Sequence, residues 1–576
     1  MRNKSFILLF LFLILGCSED NEEQIPEGNL EVLVITSDNL PIQGVSVNLL
    51  EKDLTIVTNT NGIALFENLA IGTYDISISV NDISYENTDP IIIENNKTTV
   101  VQLVTIDEAD PIEPILLNLE NLIEIVYGKL KNEYLFDSKG YVSYWGDIGS
   151  DIAYVNSMLN SRLYEIDTYQ ATSSNFIINK VWEEHYKLIR DIHIGLDAIE
   201  KNEFQPDDNL DLDLIEAEFR FVRALLYFNL VKLYGNPVLV TALVDPSGPP
   251  PNDQNANSTY DLIESDLLFA IDHLQSSTPR DKASVSAARA LLGKVYLTMA
   301  GFPIFKSDGY VKALEQLKQV EGKYALEPNY ADVFSVENED NNSEVIFKIG
   351  FDGDGNYGVF WGPQGISFRD ELFLATNFIE NYFENPADIS DPITFPLPAE
   401  DQRFFQNIAT FTFQNGVSND NSDIGEWRPY KYKKDALSAL NLNEESFDLP
   451  YLRYADVLLM IAEAENAVNG PTQYAYEAIN QVRRRAFGNA DNDIETGLNQ
   501  QDFLEAILNE RRLELAFEGS RKDDLIRTQR LQATIDFINQ DFTPNFIKDF
   551  QDFEYIWPIP QGELSLNQGV VQNPGY

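Results

Sequence analysis

The first candidate for chemistry in this sequence is an aromatic loop at residues 351–362. Tyr357, Phe360 and Trp361 lie there between glycines, which let a backbone approach a ligand closely. A sugar presents an apolar face of C–H groups that packs on an aromatic ring, and a rim of hydroxyls that bond to amides and carboxylates. The loop is therefore typical of a site for a neutral glycan, with core or loop packing as the alternative for any one aromatic.

A second group of aromatic residues could complete such a site. Tyr169 and Phe176 stand with Gln170 and Asn175 in a loop before a predicted helix. Weaker candidates are Trp145, beside Tyr144 and Asp147, and Trp427, beside Arg428. The predicted ligand-binding residues are therefore Tyr357, Phe360, Trp361, Tyr169, Phe176, Trp145 and Trp427.

Metal binding has one weak signal. Asp352, Asp354 and Asn356 have the spacing of half a calcium loop, but the bidentate glutamate of such a loop is missing at the proper distance. Cys17 is the single cysteine, and the three histidines form no HExxH motif. We therefore predict no metal and no cofactor.

Catalysis finds no support in the motifs. The sequence has no recognisable Ser/His/Asp set and no GxSxG elbow. Among 92 acidic residues some pair of carboxylates is always available, so the count alone does not indicate a hydrolase. The sequence favours a binding protein over an enzyme.

The charge balance excludes another class of partner. The chain has 41 Lys and Arg against 92 Asp and Glu, a formal net charge of -51 that is spread along its length. Because phosphate backbones repel a polyanion, we predict no nucleic-acid binding. With 576 residues, of which 44% are hydrophobic, the chain has ample material for a core and for more than one domain.

The first residues have the pattern of an export signal. Met1–Lys4 is positively charged, and Phe6–Leu15 is an apolar run too short to span a bilayer. The string LILGC at its end resembles the lipobox of bacterial lipoproteins, which are cut before the cysteine and acylated on its thiol. We predict a signal peptide at 1–16 and lipidation at Cys17, which would anchor the chain without a membrane helix.

An acidic tether is predicted at residues 17–28. Ser18–Glu23 is polar and acidic and lacks the apolar residues that packing requires. The same run resembles the export signal that sends Bacteroidetes lipoproteins to the outer face of the outer membrane. That resemblance implies a lipid-anchored protein at the outer membrane, facing the cell exterior.

Residues 29–106 predict a small β-sandwich. Apolar and polar residues alternate there with a period of two, and the apolar ones are often β-branched. Turn signals such as Asn61-Gly62 separate the strands. The string at 60–74 resembles the carboxypeptidase-regulatory-like (prealbumin-like) domain, which usually serves as a spacer or docking module.

From residue 112 onward the period of the apolar residues becomes helical. Between 211 and 234 they recur at steps of three and four, and Gly235 and Pro237 end the stripe. Similar stripes predict helices at about 116–136, 178–200, 256–275, 284–300, 309–320, 451–468, 473–487 and 501–518. Between about 322 and 450 the helical signal fades, and loops of that length usually carry function.

Two of these helix pairs resemble degenerate tetratricopeptide units. In the first, Gly293 and Tyr296 precede Leu317 on the next helix, and in the second, Ala462 precedes Val482. A small residue on one helix lets a large residue of its partner come close. A generic helical bundle is the alternative.

Five motifs follow one another through the helical part. They are WxxxYxxI at 182–189, EAEFRFVRALLYFNL with YGNP at 216–237, YLRYADVLL at 451–459, NERRLELAFEG at 509–519 and WPIP at 557–560. In this order they resemble the SusD/RagB family of surface nutrient-binding lipoproteins, over residues 112–576. The resemblance implies a mainly α fold with tetratricopeptide-type helix pairs and long loops. The small β-sandwich domain in front is absent from most members.

The resemblance also implies a function and a partner. Members bind a glycan at the cell surface and deliver it to a TonB-dependent, SusC-like transporter in the outer membrane. The loop at 351–362 would form one wall of the binding site, and the loop before Trp182 the opposite wall. Two alternatives stay open: a RagB-like lipoprotein for peptide uptake, and a protein-interaction lid or scaffold without a ligand site of its own.

The charged residues of these motifs have a structural interpretation. Their spacing lets them pair along or between helices, and charged clusters on helices are usually ion-pair networks. The prediction of a structural role covers Arg453, Asp456, Glu510, Arg511, Arg512, Glu514 and Glu518.

Overall fold

The computed structural model divides the chain into two compact units, residues 1–117 and residues 118–576. Each unit is described by itself below. The residues that the structure describes are 27–35, 41–49, 52, 54–80, 83–86, 91–95, 97–104, 117–132, 135–136, 146–155, 161–204, 210–243, 251–252, 256–351, 372–382, 401–414, 417–420, 427–432, 448–540 and 547–576.

Strands dominate the first unit and helices the second. The strands are β1 (Glu27–Ile35), β2 (Ser46–Leu49), β3 (Leu54–Val57), β4 (Ile63–Ala70), β5 (Gly72–Tyr74), β6 (Ile76–Val80), β7 (Ile83–Glu86), β8 (Ile91–Ile93), β9 (Thr98–Val104), β10 (Ala153–Val155), β11 (Val345–Ile349), β12 (Leu372–Leu374), β13 (Ile408–Ala409), β14 (Phe411–Gln414), β15 (Val417–Asp420), β16 (Arg428–Pro429) and β17 (Leu449–Arg453). The helices are α1 (Leu119–Lys129), α2 (Ser161–Asp167), α3 (Phe176–Lys201), α4 (Leu212–Tyr234), α5 (Asn257–His273), α6 (Val285–Ala300), α7 (Gly309–Lys318), α8 (Thr376–Glu380), α9 (Arg403–Asn407), α10 (Tyr454–Asn469), α11 (Gln473–Phe487), α12 (Gln500–Glu514), α13 (Arg521–Arg527), α14 (Leu531–Ile538) and α15 (Gln561–Leu566).

The first unit is built from two main sheets. In one, β1 lies between β4, which is antiparallel to it, and β9, which is parallel. In the other, the strand order is β3-β2-β6-β7. Leu30, Val32 and Val34 of the first sheet and Val47 and Ile78 of the second are buried in one apolar cluster. The period of two thus places one face of each sheet in a shared core, as the sequence predicted.

The first strand of this unit begins two residues before the predicted domain start at residue 29. Strand β1 begins at Glu27, so Glu27 and Gly28 belong to the sheet and not to the tether. Gly28 pairs with Leu69 in β4, and a Cβ at this position would lie 2.3 Å from the carbonyl oxygen of Glu94. The strand therefore uses glycine where a neighbouring backbone comes close.

The long helices of the second unit lie where the apolar stripes predicted them. Helix α4 spans Leu212–Tyr234, with Asp211 as its N-cap and Gly235 after its last residue, in a left-handed conformation at φ 70°. Helix α1 is shorter than predicted and ends at Lys129. Leu135 and Phe136, which had extended the predicted stripe, are buried beyond the helix. Their apolar character reflects burial in the core and not helical periodicity.

The close crossing predicted for the first helix pair is confirmed. Helices α6 and α7 pack side by side, and a Cβ on Gly293 would lie 2.6 Å from the nearest methyl carbon of Leu317. Any residue larger than glycine at position 293 would therefore clash with Leu317. Ala462 of α10 and Val482 of α11 are likewise buried where these two helices meet.

The described residues between 322 and 450 form short elements. Strand β11 pairs with β17, and β10 pairs with β12. The protein is thus mainly α, with small sheets between its helices and a small sheet-containing unit in front, which confirms the predicted fold class. Within the part of the chain that the structure describes, every helix is too short or too polar to cross a membrane.

Candidate functional site

The charged motif residues form a buried ion-pair cluster, which we call the arginine–glutamate core. Glu514 of α12 stands at its centre, 2.5 Å from Arg485 of α11, 2.6 Å from Arg453 of β17 and 3.1 Å from Arg403 of α9. Burial alone would raise the pKa of this carboxyl group. The three guanidiniums together hold its pKa well below the ordinary value, so that it stays ionised.

The arginines of this core have further carboxylate partners. Glu344 accepts from Arg453 and Arg485, each at 2.9 Å, and Glu510 accepts from Arg403 at 2.6 Å. Asp456 and Arg511 pair separately at 2.7 Å. Each of these arginines therefore has at least two carboxylate partners within the protein. These contacts confirm the predicted ion pairing of the charged motif residues, which are Arg453, Asp456, Glu510, Arg511, Arg512, Glu514 and Glu518.

The arginine–glutamate core ties together the elements that border the predicted aromatic loop. Strand β11 leads into that loop and is hydrogen-bonded to β17, which supplies Arg453. The last described residue before the loop, Phe351, is fully buried, and its backbone N–H donates to Oδ1 of Asp448 at 2.6 Å. The other oxygen of Asp448 lies 2.6 Å from the ammonium of Lys348. The loop therefore leaves from a rigid stem.

A second carboxyl group stands beside this stem. Glu339 accepts the backbone N–H of Asp448 at 2.8 Å. Burial, together with the neighbouring carboxylate of Asp448, raises the pKa of Glu339 to about 8. Burial and the neighbouring carboxylate thus both favour the protonated form of Glu339.

The aromatic residues of the loop itself lie outside the described residues. This applies to Tyr357, Phe360 and Trp361, to the calcium-like Asp352, Asp354 and Asn356, and also to Trp145 and Cys17. Their roles stay predictions. Within the described ranges, His, Cys, Asp and Glu residues form no group that could hold a metal ion.

The described part of the predicted site is the segment 161–176, which we call the α2–α3 corner. Asn175 is the N-cap of α3: its Oδ1 accepts from the backbone N–H groups of Ile177 and Ile178, and its Nδ2 donates to Glu165. Since these bonds use both ends of its amide, Asn175 serves the helix and not a ligand.

Phe176 is the exposed aromatic residue of the α2–α3 corner. Its side chain is 40% exposed, and the guanidinium of Arg162 lies 4.5 Å from the centre of its ring. Gln170 is exposed in the same segment, and the hydroxyls of Thr172 and Ser174 lie 2.9 Å apart. A partly exposed ring in the same segment as amide and hydroxyl groups has the chemistry that a sugar needs.

Tyr169 is placed differently. Its side chain is buried, its hydroxyl donates to the carbonyl of Gly149 at 2.5 Å, and its ring packs edge-on against Phe550 at 4.9 Å. The cavity beside it has a volume of about 10 Å³, which holds one water molecule at most. These contacts are those of a packing residue, so we leave Tyr169 out of the proposed site.

Trp427 is also enclosed by the protein. It is buried, and its ring centre lies 5.9 Å from that of Phe404 in an edge-on arrangement. The guanidinium of the neighbouring Arg428 lies 3.9 Å from the ring centre of Phe373. Trp427 thus helps to pack β16 against its surroundings, and we leave it out of the proposed site as well.

Sequence reasoning missed Arg162. It contacts Phe176 although the two lie on different helices, and neither helical nor strand spacing joins them. The N-cap asparagine, which stands directly before the helix, was the only local signal for the turn that brings them together.

Two family models match the chain. The model of the SusD family matches residues 321–576. A second model, described as starch-binding and associating with the outer membrane, matches residues 106–297. Among curated proteins, SusD-like protein P25 of Formosa agariphila is 29% identical over 501 residues, which cover 78% of this chain and 90% of that protein.

Solved structures share the fold of this chain. A SusD homologue from Bacteroides thetaiotaomicron matches with a TM-score of 0.68 at 24% identity, over 80% of this chain and 96% of its own. A laminarin-binding SusD-like protein matches with a TM-score of 0.62 at 24% identity, over 80% of this chain and 99% of its own.

Proposed function

The chain belongs to the SusD-like family, whose members associate with the outer membrane, and on that premise we propose that it captures a neutral glycan at the cell surface. The observation that carries the proposal is the α2–α3 corner. Its aromatic residue is 40% exposed, amide and hydroxyl groups lie in the same segment, and nearby buried residues hold the helix that positions it. The relative that binds laminarin supports a glycan as the ligand.

The mechanism that we propose is binding without covalent chemistry. One sugar ring packs its C–H face on Phe176, and the hydroxyls of the sugar bond to Gln170 and its polar neighbours. Tyr357, Phe360 and Trp361 supply the opposite wall from the stem at Phe351, and Trp145 adds to its edge. The buried cations of the arginine–glutamate core take no part, because their charges are already neutralised.

The surroundings of the binding step are also part of the proposal. Lipid on Cys17 anchors the chain after removal of residues 1–16, and the acidic tether leads to the first unit. That unit serves as a spacer of the carboxypeptidase-regulatory-like type. The helical part, residues 112–576, delivers the glycan to a SusC-like, TonB-dependent transporter.

Affinity electrophoresis tests the binding step. The chain from Ser18 onward is run through gels that contain laminarin, starch or another neutral polysaccharide. We expect retardation by one of them, and a loss of at least about fivefold in affinity in Phe176→Ala and Trp361→Ala, since an aromatic contact contributes on the order of 1 kcal/mol. Phe405→Ala is the matched control, because Phe405 has the same 40% exposure but lies on α9.

Each outcome has a distinct meaning. Retardation that the two site variants leave unchanged would keep glycan binding but reject the proposed site. Absence of retardation in every gel, together with binding of a peptide mixture, would replace glycan capture by peptide capture. Equal loss in Phe405→Ala would show that the effect of Phe176→Ala is not specific to the α2–α3 corner.

A further inference from the structure

A cavity of the helical unit lies apart from the residues proposed above. It is lined by α8, α12, α13 and α14 and has a volume of about 630 Å³. That volume lies within the range of roughly 300–1,000 Å³ typical of small-molecule sites. Neither the charged motifs nor the aromatic loop predicted it, because its walls come from segments more than a hundred residues apart.

The charges at the floor of this cavity are neutralised within the protein. Asp151 lies 3.0 Å from Nε of Arg512 and 2.8 Å from Nε of Arg521. Burial would raise the pKa of Asp151, but the two guanidiniums hold that pKa well below its ordinary value. Arg530 pairs with Glu505 at the rim. A charged ligand would therefore find no unpaired opposite charge among these residues.

Further hydrogen-bonding groups, two amides and one carboxylate, line the walls. Asn509 of α12 is exposed, and its side chain has no bonding partner among the described residues. Asn381 donates through Nδ2 to the carbonyl of Asn377 at 2.5 Å, which leaves its oxygen as an acceptor. Glu380 lines the cavity beside it as a further acceptor. Amides and a carboxylate offer both donors and acceptors, as a sugar hydroxyl requires.

An aromatic platform completes the wall. Phe537 of α14 lines the cavity and is 54% exposed, so its ring is available for contact with a ligand. Ala533, one helical turn earlier, is small and exposed and also lines the cavity, so the ring is accessible along the helix. An open ring beside amide groups, over a charge-neutral floor, is the combination that a sugar ring fits.

We propose that this cavity is a second binding site for a neutral oligosaccharide, with Phe537 under the sugar ring and Asn509, Asn381 and Glu380 on its hydroxyls. The proposal rests on the proposed function in one respect, since both sites take the same class of ligand. Two sites on one chain raise the avidity for a polysaccharide long enough to reach both, without tightening either site.

Titration calorimetry with laminarihexaose and with maltohexaose tests the second site. The chain from Ser18 onward is expected to bind two molecules of one of these neutral hexasaccharides. Phe537→Ala and Asn509→Ala should each weaken one of the two sites on the order of tenfold and leave the other unchanged. Phe305→Ala is the matched control, with 55% exposure at a place outside the cavity. Circular dichroism confirms that each variant is folded.

The variants separate this proposal from the function proposed above. One bound molecule, lost in Phe176→Ala but unchanged in Phe537→Ala and Asn509→Ala, would overturn the second site and keep the first. One bound molecule that is lost in Phe537→Ala and unchanged in Phe176→Ala would support the cavity and overturn the α2–α3 corner. No binding of either hexasaccharide would overturn both.

Discussion

Two neighbouring arginines on α11 allow a matched test of what burial does to an ion pair. Arg485 lies 2.9 Å from Glu344 and 2.5 Å from Glu514, and its side chain is 3% exposed. Arg484 lies 2.8 Å from Glu477 and 2.6 Å from Asp493, and its side chain is 37% exposed. The two have equal numbers of partners at similar distances, so replacing each by methionine changes mainly the environment of the lost pair.

The expected costs follow from the groups left behind. In Arg485→Met, Glu344 and Glu514 stay buried but each keeps the guanidinium of Arg453. The variant should therefore lie at the lower end of the cost of breaking a buried pair, about 3 kcal/mol. In Arg484→Met both carboxylates are free to hydrate, and the cost should stay below about 1 kcal/mol. Methionine matches arginine in helix propensity, so the backbone contributes little to either value.

Urea unfolding followed by tryptophan fluorescence measures both variants. All five tryptophans lie after residue 117, so the signal reports on the helical unit. Equal unfolding free energies for the two variants would refute the reasoning, because burial would then not decide the strength of the network.

Three further predictions concern packing, pH and the stem of the aromatic loop. A Cβ at Gly146 would lie 2.0 Å from Cα of Gly519, so Gly146→Ala should lower the free energy of unfolding by about 3 kcal/mol. A Cβ at Gly128 would lie in open space, so Gly128→Ala should not lower it. Urea unfolding measures both variants. Burial lowers the pKa of the His185 imidazole from 6.5 to about 4. As the pH falls from 6.5 to 4, the unfolded chain binds a proton at His185 and the folded chain does not. The free energy of unfolding therefore decreases by roughly 3 kcal/mol over this range. His185→Phe lacks this titration, so its free energy of unfolding should rise by that amount relative to wild type between pH 7 and pH 4. Parallel plots of unfolding free energy against pH for the two proteins would contradict the prediction. Asp448→Ala should weaken glycan retention severalfold more than Asp448→Asn, which keeps an acceptor for the N–H of Phe351; equal retention by both would show that the stem does not position the site.

Elements with a long, regular pattern were predictable from the sequence. Helix α4 begins and ends within one residue of its predicted bounds, because an apolar stripe, an aspartate cap and Gly235 all agree. The end of α1 was not predictable, since Leu135 and Phe136 are buried outside the helix and look like its continuation. An apolar residue indicates that its side chain is buried. It indicates a helix only where the buried residues recur along one face of that helix.

The candidate site was predictable only in part. Motif spacing identified Arg453, Glu510 and Glu514 as ion-pair residues, but their partner Arg403 lies 107 residues before Glu510, beyond any local rule. The type of an aromatic residue does not reveal whether it faces solvent. Tyr169 and Phe176 stand seven residues apart, yet the first is buried against Phe550 and the second is 40% exposed.

Retention of the wild-type chain by immobilised neutral polysaccharides, measured beside retention by immobilised peptides of mixed sequence, tests the central claim most directly. The account predicts retention by a polysaccharide, release by the free oligosaccharide of the same linkage, and passage through the peptide column. Retention by the peptides alone, with release by free peptide, would contradict glycan capture.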